Sequence, residues 1–380
     1  MPFARATPGA CRALLALLAG ALAPAALSAR ANVPSPSSSP SPDLNRIRWT
    51  GRVDTSAPGA VRFAWQGAGL VATVRGRELA VKLRTDGASG TIWFQPVVDG
   101  QPRPRFGVEA GADRTVVLAS FGTAGDHTVE LYRETEGTQP ASAFLGFTSG
   151  EVRGAPPASG RRLEIVGDSI SAAYGNLGVE RHLPRDARRC TWSAENSSWY
   201  QSYGALAGRA LRAEVSTVAV SGWGLFQDRL GRPHALGGVY EHALGVHDPT
   251  PYRFPRRPAA VIVNLGTNDE AGGFDRARYV QAGLALLARI RAHAPDAWVL
   301  FAIGPLMPPA GLHAVAEAQG AIVAEARSRG DARVESFTFA PQRIGAHGEI
   351  PTGCDWHPSA AEHQRMADAL VPLLRSRLRW

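Results

Sequence analysis

Five residues scattered through this 380-residue chain have the side chains or backbone that acyl transfer requires. Ser169, in Gly167-Asp168-Ser169-Ile170, offers a hydroxyl at the point where a short apolar run stops. A hydroxyl is a weak nucleophile until a base takes its proton. His357, in Gly353-Cys354-Asp355-Trp356-His357-Pro358, can be that base as a neutral imidazole. Asp355, two residues before it, is the candidate to orient Nδ1. The tetrahedral intermediate also needs donors aimed at its oxygen. The N–H of Ser169, the N–H of Gly222 and the side-chain amide of Asn268 are the candidates, the last two lying in Ser221-Gly222 and Gly266-Thr267-Asn268-Asp269. Each motif alone is an ordinary turn or cap; their joint presence in a workable order is far more specific. Asp168 and Asp269 read as supports that bond loop backbone. No His/Cys cluster has metal-binding spacing, and this chemistry needs no cofactor.

Such groups meet only if a sheet brings them to one edge. The segments Arg161–Val166, Ala213–Val220, Ala259–Leu265, Trp298–Ile303 and Ala332–Phe337 are apolar runs of strand length. Between and after them, Tyr200–Leu211, Asp275–His293, Ala314–Arg329 and Ala360–Leu378 carry a helical apolar period. Alternating β and α predicts a parallel sheet with helices on both faces over residues 160–380. The Gly167-Asp168-Ser169, Ser221-Gly222 and Gly266–Asp269 motifs then fall at carboxyl ends of strands, where such sheets bind ligands. The segment 231–257, rich in Gly, Pro and His, reads as a long functional or mobile loop.

Residues 45–155 read differently. Arg62–Trp65, Leu70–Val74, Glu78–Leu83, Thr91–Val98, Arg114–Leu118 and His127–Tyr132 are candidate short strands, and Asp99-Gly100 is a hairpin turn. They predict an all-β domain, a β-sandwich or jelly roll. Upstream, Arg5 and Arg12 precede an apolar stretch and Ala29-Arg30-Ala31, the pattern of a cleaved leader over residues 1–31. A Pro/Ser tether over 32–44 follows. The expected destination is therefore secreted or periplasmic, with no membrane association after cleavage. Loss of Arg5, Arg12 and Arg30 lowers the formal charge from +8 to +5, and the arginines are scattered, which argues against nucleic acid as a partner. Cys190 and Cys354 remain in an oxidising compartment and are expected to form a disulfide, the alternative being two unpaired thiols.

Gly167-Asp168-Ser169-Ile170 with Tyr174-Gly175, then Gly222, Gly266–Asp269 and Asp355-Trp356-His357-Pro358 resemble the SGNH (GDSL-type) hydrolase superfamily. More narrowly, the chain from about residue 45 is similar to carbohydrate esterase family 2, including acetyl xylan esterases. The resemblance implies a jelly-roll domain followed by an SGNH hydrolase domain. It implies a serine esterase removing acetyl groups from polysaccharide or oligosaccharide such as xylan or glucomannan. Ser169 would be the nucleophile, His357 the base, and Ser169, Gly222 and Asn268 the oxyanion hole. Most of the superfamily places its Asp three residues before the His, where this chain has Cys354. Asp355 matches some members of the narrower family; in others a backbone carbonyl orients the His. Trp223 and Trp356, beside oxyanion and base groups, become candidate sugar-binding residues, with core packing the competing role. The rival functions are an SGNH esterase, lipase or thioesterase acting on another ester, and a non-catalytic carbohydrate-binding protein.

Overall fold

The computed structural model describes residues 43–183, 186–345 and 347–380. The expected leader, and the tether before Asp43, lie outside them. The first half is one antiparallel sheet of eight strands. These are β1 (Arg48–Thr50), β2 (Val61–Phe63), β3 (Gly69–Thr85), β4 (Thr91–Val98), β5 (Gln101–Pro102), β6 (Phe106–Glu109), β7 (Asp113–Arg133) and β8 (Ser142–Gly154). Leu70–Val74 and Glu78–Leu83, expected as two strands, are halves of β3, and Arg114–Leu118 and His127–Tyr132 are halves of β7. The glycines between them bend a strand instead of ending it. At Gly76 the register shifts, and a Cβ there would come within 2.8 Å of the Glu78 carbonyl. Leu70, Ala72 and Val74 from one half of β3, and Leu79, Val81 and Leu83 from the other, enter the same apolar cluster with Phe63, Phe94 and Phe144. The pairing is thus one continuous antiparallel sheet of long bent strands around a single core. Asp99 and Gly100 form the expected tight turn, both at positive φ, between β4 and β5.

The second half has a five-stranded parallel sheet in the order β12-β9-β13-β14-β15. Its strands are β9 (Arg162–Gly167), β12 (Glu214–Ala219), β13 (Ala260–Asn264), β14 (Trp298–Ile303) and β15 (Val334–Thr338); β10 (Arg181–Leu183) and β11 (Asp186–Arg188) form a separate small pair. The helices are α1 (Ser169–Ala172), α2 (Tyr203–Leu211), α3 (Thr267–Ala271), α4 (Arg276–His293), α5 (Pro309–Ser328) and α6 (Ala360–Leu378). Strand side chains alternate between faces. Val261, Val263, Val299 and Phe301 meet Leu286, Ile290, Val315 and Ile322 of α4 and α5. Ala260, Ile262, Leu300 and Ala302 meet Ala207 and Leu211 of α2 and Leu370 and Leu374 of α6. Each fully buried Leu, Ile or Phe contributes roughly 1.5–3 kcal/mol by leaving water. Asp275 and Ser359 cap α4 and α6 through the N–H groups of Arg278 and Glu362. Helix α5 starts five residues before the expected Ala314, with Pro309 as its first residue. Among the described residues no helix is long and apolar enough to cross a membrane.

The two halves are locked by a buried ion pair. Arg52, fully buried, bonds Glu164 of β9 at 2.9 Å. The second Glu164 oxygen accepts the Tyr240 hydroxyl at 2.8 Å, and Arg52 also donates to the carbonyls of Tyr240 and His242. The rings of Tyr240, Tyr252 and Phe254 surround the guanidinium. The long segment 231–257 thus has little regular structure yet buries Leu236, Tyr240 and Leu244. Removing one partner of a buried pair leaves the other charge stranded. Arg52→Ala should lower unfolding free energy by about 3–5 kcal/mol, and Arg52→Met with Glu164→Leu should recover most of the loss in denaturant titrations.

Candidate active site

Strand β9 ends at Gly167, where nothing larger fits: a Cβ would lie 2.1 Å from the Ser171 hydroxyl. Asp168 turns the chain into α1, its carboxylate accepting the Ile170 N–H at 3.0 Å. Burial, with a smaller push from Asp269, raises the Asp168 carboxyl to about 7 against the pull of that N–H. Ser169 is therefore the first residue of a helix, where the backbone N–H has no helical acceptor. The residue is nearly buried, with only 8% of its surface exposed.

The base arrives from the other end of the chain. Between Gly353 and Pro358 the backbone makes one tight turn, with Asp355 at φ 50° and Trp356 at φ 64°. It delivers His357 Nε2 to 2.8 Å from Ser169 Oγ. Nδ1 faces the backbone carbonyls of Asp355 at 3.0 Å and Cys354 at 3.3 Å. Both are acceptors only, so Nδ1 carries the proton and Nε2 is left to accept the serine O–H. Burial lowers the His357 pKa from its ordinary value, partly offset by the carbonyls, so the imidazole is neutral near neutral pH.

One expectation needs correction. The Asp355 carboxylate makes no hydrogen bond to His357 among the described residues. It accepts the Tyr174 hydroxyl at 2.9 Å and the Trp192 backbone N–H at 3.2 Å. The left-handed backbone at residue 355 sends the side chain outward and turns its carbonyl to Nδ1. Cys190 and Cys354 are joined by a disulfide, as expected, and the Asp355 N–H donates to the Cys190 carbonyl at 3.1 Å. The Tyr174 ring lies 4.2 Å from the His357 ring, and Trp192 stacks on Tyr174 at 5.6 Å. Tyr174 and Trp192 were missed as site residues. Tyr174-Gly175, close behind the serine, was the available signal for the first; nothing local marks the second.

The candidate donors stand at neighbouring strand ends. Gly222 follows β12, with φ +82° and only Arg229 Cδ, at 4.0 Å, near where a side chain would be, and its N–H meets no acceptor among the described residues. Asn268 follows β13; its amide donates to the Trp223 carbonyl at 2.9 Å and lies 3.5 Å from Asp168. Asp269 supports the loop after β12 by accepting the N–H groups of Leu225 and Phe226, the role expected of it. Trp223 stacks on His234 at the margin of the core. Trp356 is 42% exposed and stacks on His182. A hydroxyl bonded to a neutral imidazole, with the Ser169 and Gly222 N–H groups unspent among the described residues and the Asn268 amide beside them, is equipped for nucleophilic acyl transfer.

Residues 49–158 match the family profile "Carbohydrate esterase 2 N-terminal", and residues 165–365, just over half of the chain, match "GDSL-like Lipase/Acylhydrolase family". The cellulase/esterase CelE of Acetivibrio thermocellus is 33% identical over 90% of this chain, which spans 41% of that protein's length. An acetylxylan esterase / glucomannan deacetylase of Cellvibrio japonicus is 25% identical over 88% of this chain and 89% of its own. The solved structure of a family two carbohydrate esterase from Clostridium thermocellum in complex with cellohexaose is 33% identical, with a TM-score of 0.81 over 88% of this chain and 99% of that one. Matched by both domain profiles and by that structure over nearly its whole length, the chain belongs to carbohydrate esterase family 2 and is a carboxylic ester hydrolase.

Proposed function

We propose that this protein is a secreted serine esterase that removes O-acetyl groups from xylan- or glucomannan-type carbohydrate through an acyl-enzyme. The observation that carries the mechanism is the 2.8 Å contact between Ser169 Oγ and a His357 whose Nδ1 is occupied by carbonyls. Ser169 Oγ attacks the acetyl carbonyl carbon while His357 Nε2 takes its proton. The carbonyl oxygen becomes an oxyanion, received by the N–H groups of Ser169 and Gly222 and the Asn268 amide. Collapse breaks the bond to the sugar oxygen, which leaves with the proton from His357. Water then gives its proton to His357, attacks the acetyl-enzyme, and acetate departs as Ser169 is reprotonated. The carbonyls of Asp355 and Cys354 hold the imidazole and stabilise its protonated form, the task that a carboxylate performs in the Ser-His-Asp arrangement.

The choice of acetylated carbohydrate rests on relatives named for acetylxylan and glucomannan and on one solved with cellohexaose. Exposed Trp356 beside the base is the better placed indole for a sugar face; Trp223 is half-buried against the core. Secretion is supported by the leader pattern in the sequence and by the disulfide. A jelly-roll description suits the N-terminal domain, since its long bent strands wrap one core.

Acetate release from acetylated xylan, acetylated glucomannan and aryl acetates tests this reading. Ser169→Ala should lower kcat by more than about 10³-fold, and full activity in that variant would refute the mechanism. Asp355→Asn, which tolerates the left-handed backbone, should stay within about tenfold of wild type, far from the roughly 10⁴-fold that loss of an orienting carboxylate produces. Because only neutral His357 accepts a proton and burial lowers its pKa, kcat/KM should fall on acidification with a midpoint below 6.5. A midpoint above 6.5 would mean that a carboxylate does reach the imidazole.

A further inference from the structure

The loop that carries Gly222 is tied to the other domain. Residues Val220 to Trp223 form a tight turn closed by the Trp223 N–H on the Val220 carbonyl at 3.2 Å. With Gly222 in its third position at φ +82°, this is a type II turn. Type I and type II turns differ by a flip of their central peptide, here the one joining Ser221 to Gly222. In one orientation the Gly222 N–H faces the cleft; in the other the Ser221 carbonyl does, and it would repel a developing oxyanion.

The Arg229 N–H of the hydrolase domain holds the Gly222 carbonyl at 3.0 Å, and a second hold on the turn comes from outside that domain. The Ser221 hydroxyl donates at 2.5 Å to Glu136, which lies between β7 and β8 of the N-terminal domain. The other Glu136 oxygen accepts the Thr138 hydroxyl at 2.6 Å, so both oxygens are engaged and the carboxylate is fixed. The same domain grips the strand just before the turn, where Gln66 donates to the Ala219 carbonyl at 3.1 Å. Burial pushes the Glu136 carboxyl up against the pull of these hydroxyls. A carboxyl kept there at a desolvation cost is held by the hydroxyls it accepts from, and in turn fixes them.

We infer that Glu136 is a positioning residue for the esterase reaction: through Ser221 it locks the Ser221–Gly222 peptide with its N–H toward the acyl oxygen. This rests on the assignment of Gly222 as an oxyanion donor under Proposed function. The N-terminal domain then completes the oxyanion hole of its neighbour.

Hydrolysis of 4-nitrophenyl acetate by Glu136→Ala, Ser221→Ala, the double variant and Glu136→Gln, each with a thermal melt, tests the inference. Glu136→Ala and Ser221→Ala should each lower kcat by about ten- to a hundredfold, short of the roughly 10²–10³-fold loss of a donor itself. KM should stay within about threefold, the signature of an interaction made in the transition state. The double variant should be no worse than the poorer single variant, and Glu136→Gln, whose amide oxygen still accepts from Ser221, should recover most of kcat. Wild-type kcat in a folded Glu136→Ala or Ser221→Ala, or losses that multiply in the double variant, would overturn the inference. Should Glu136→Ala not fold, Ser221→Ala and Glu136→Gln decide by the same criteria. An active Ser169→Ala would sink the esterase mechanism itself; an inactive Ser169→Ala beside fully active Glu136 and Ser221 variants would sink only this positioning role.

Discussion

Glu164 places a carboxylate in the middle of β9, five residues before the serine, where its strand neighbours are apolar. A charge there is tolerable only if both oxygens are bonded and a counter-ion is at hand. Arg52 and the Tyr240 hydroxyl meet that demand, and three aromatic rings close around the guanidinium. Such a pair adds little net stability over well-packed hydrocarbon, since desolvation offsets most of the attraction. Its effect is on register. Only one placement of β9 against the N-terminal sheet satisfies all the partners, and that placement sets where Gly167 ends and Ser169 begins.

From that fixed strand the rest of the site is assembled by hydrogen bonds that cross between the halves. Arg105 donates to the carbonyls of Glu195 and Ser197, beside the segment that carries Trp192. Trp65 donates to the His242 carbonyl, and the Val246 N–H to that of Gly137. The two family profiles divide the sequence near residue 160, but the bonding does not divide there. The N-terminal sheet is a wall and brace of the hydrolase cleft as much as a domain beside it.

Much of this was legible in the sequence for a simple reason. Strands buried on both faces read as unbroken apolar runs, and Trp298–Ile303 carries that signal from end to end. Ala360–Leu378 is bounded by a capping serine and the chain's last turn, so its limits were readable too. The N-terminal strands were harder, because a glycine that bends a strand and one that ends it look alike. Gly76 is the case in point. At the site, residue types identified Ser169 and His357, while spacing misassigned the Asp355 side chain. Which atom of Asp355 meets the imidazole depends on its left-handed φ, and an Asp does not announce that as a Gly would. Glu136, Tyr174 and Trp192 act through contacts far away in the chain, Tyr174 with Asp355 across 181 positions, and no local pattern encodes those.

The Cys190–Cys354 bridge gives the base a dependence that the nucleophile lacks. Ser169 is placed by a sheet and a helix cap, both indifferent to thiol chemistry. The two carbonyls on His357 Nδ1 belong to Cys354 and its neighbour, so they sit on the loop that the bridge anchors. Made among reductants, the same chain would keep its sheet, its serine and its apolar cores, yet present an imidazole on a loop held by hydrogen bonds alone. Folded yield would then overstate active yield, and free-thiol content would be the truer measure of how much of a preparation can turn over substrate.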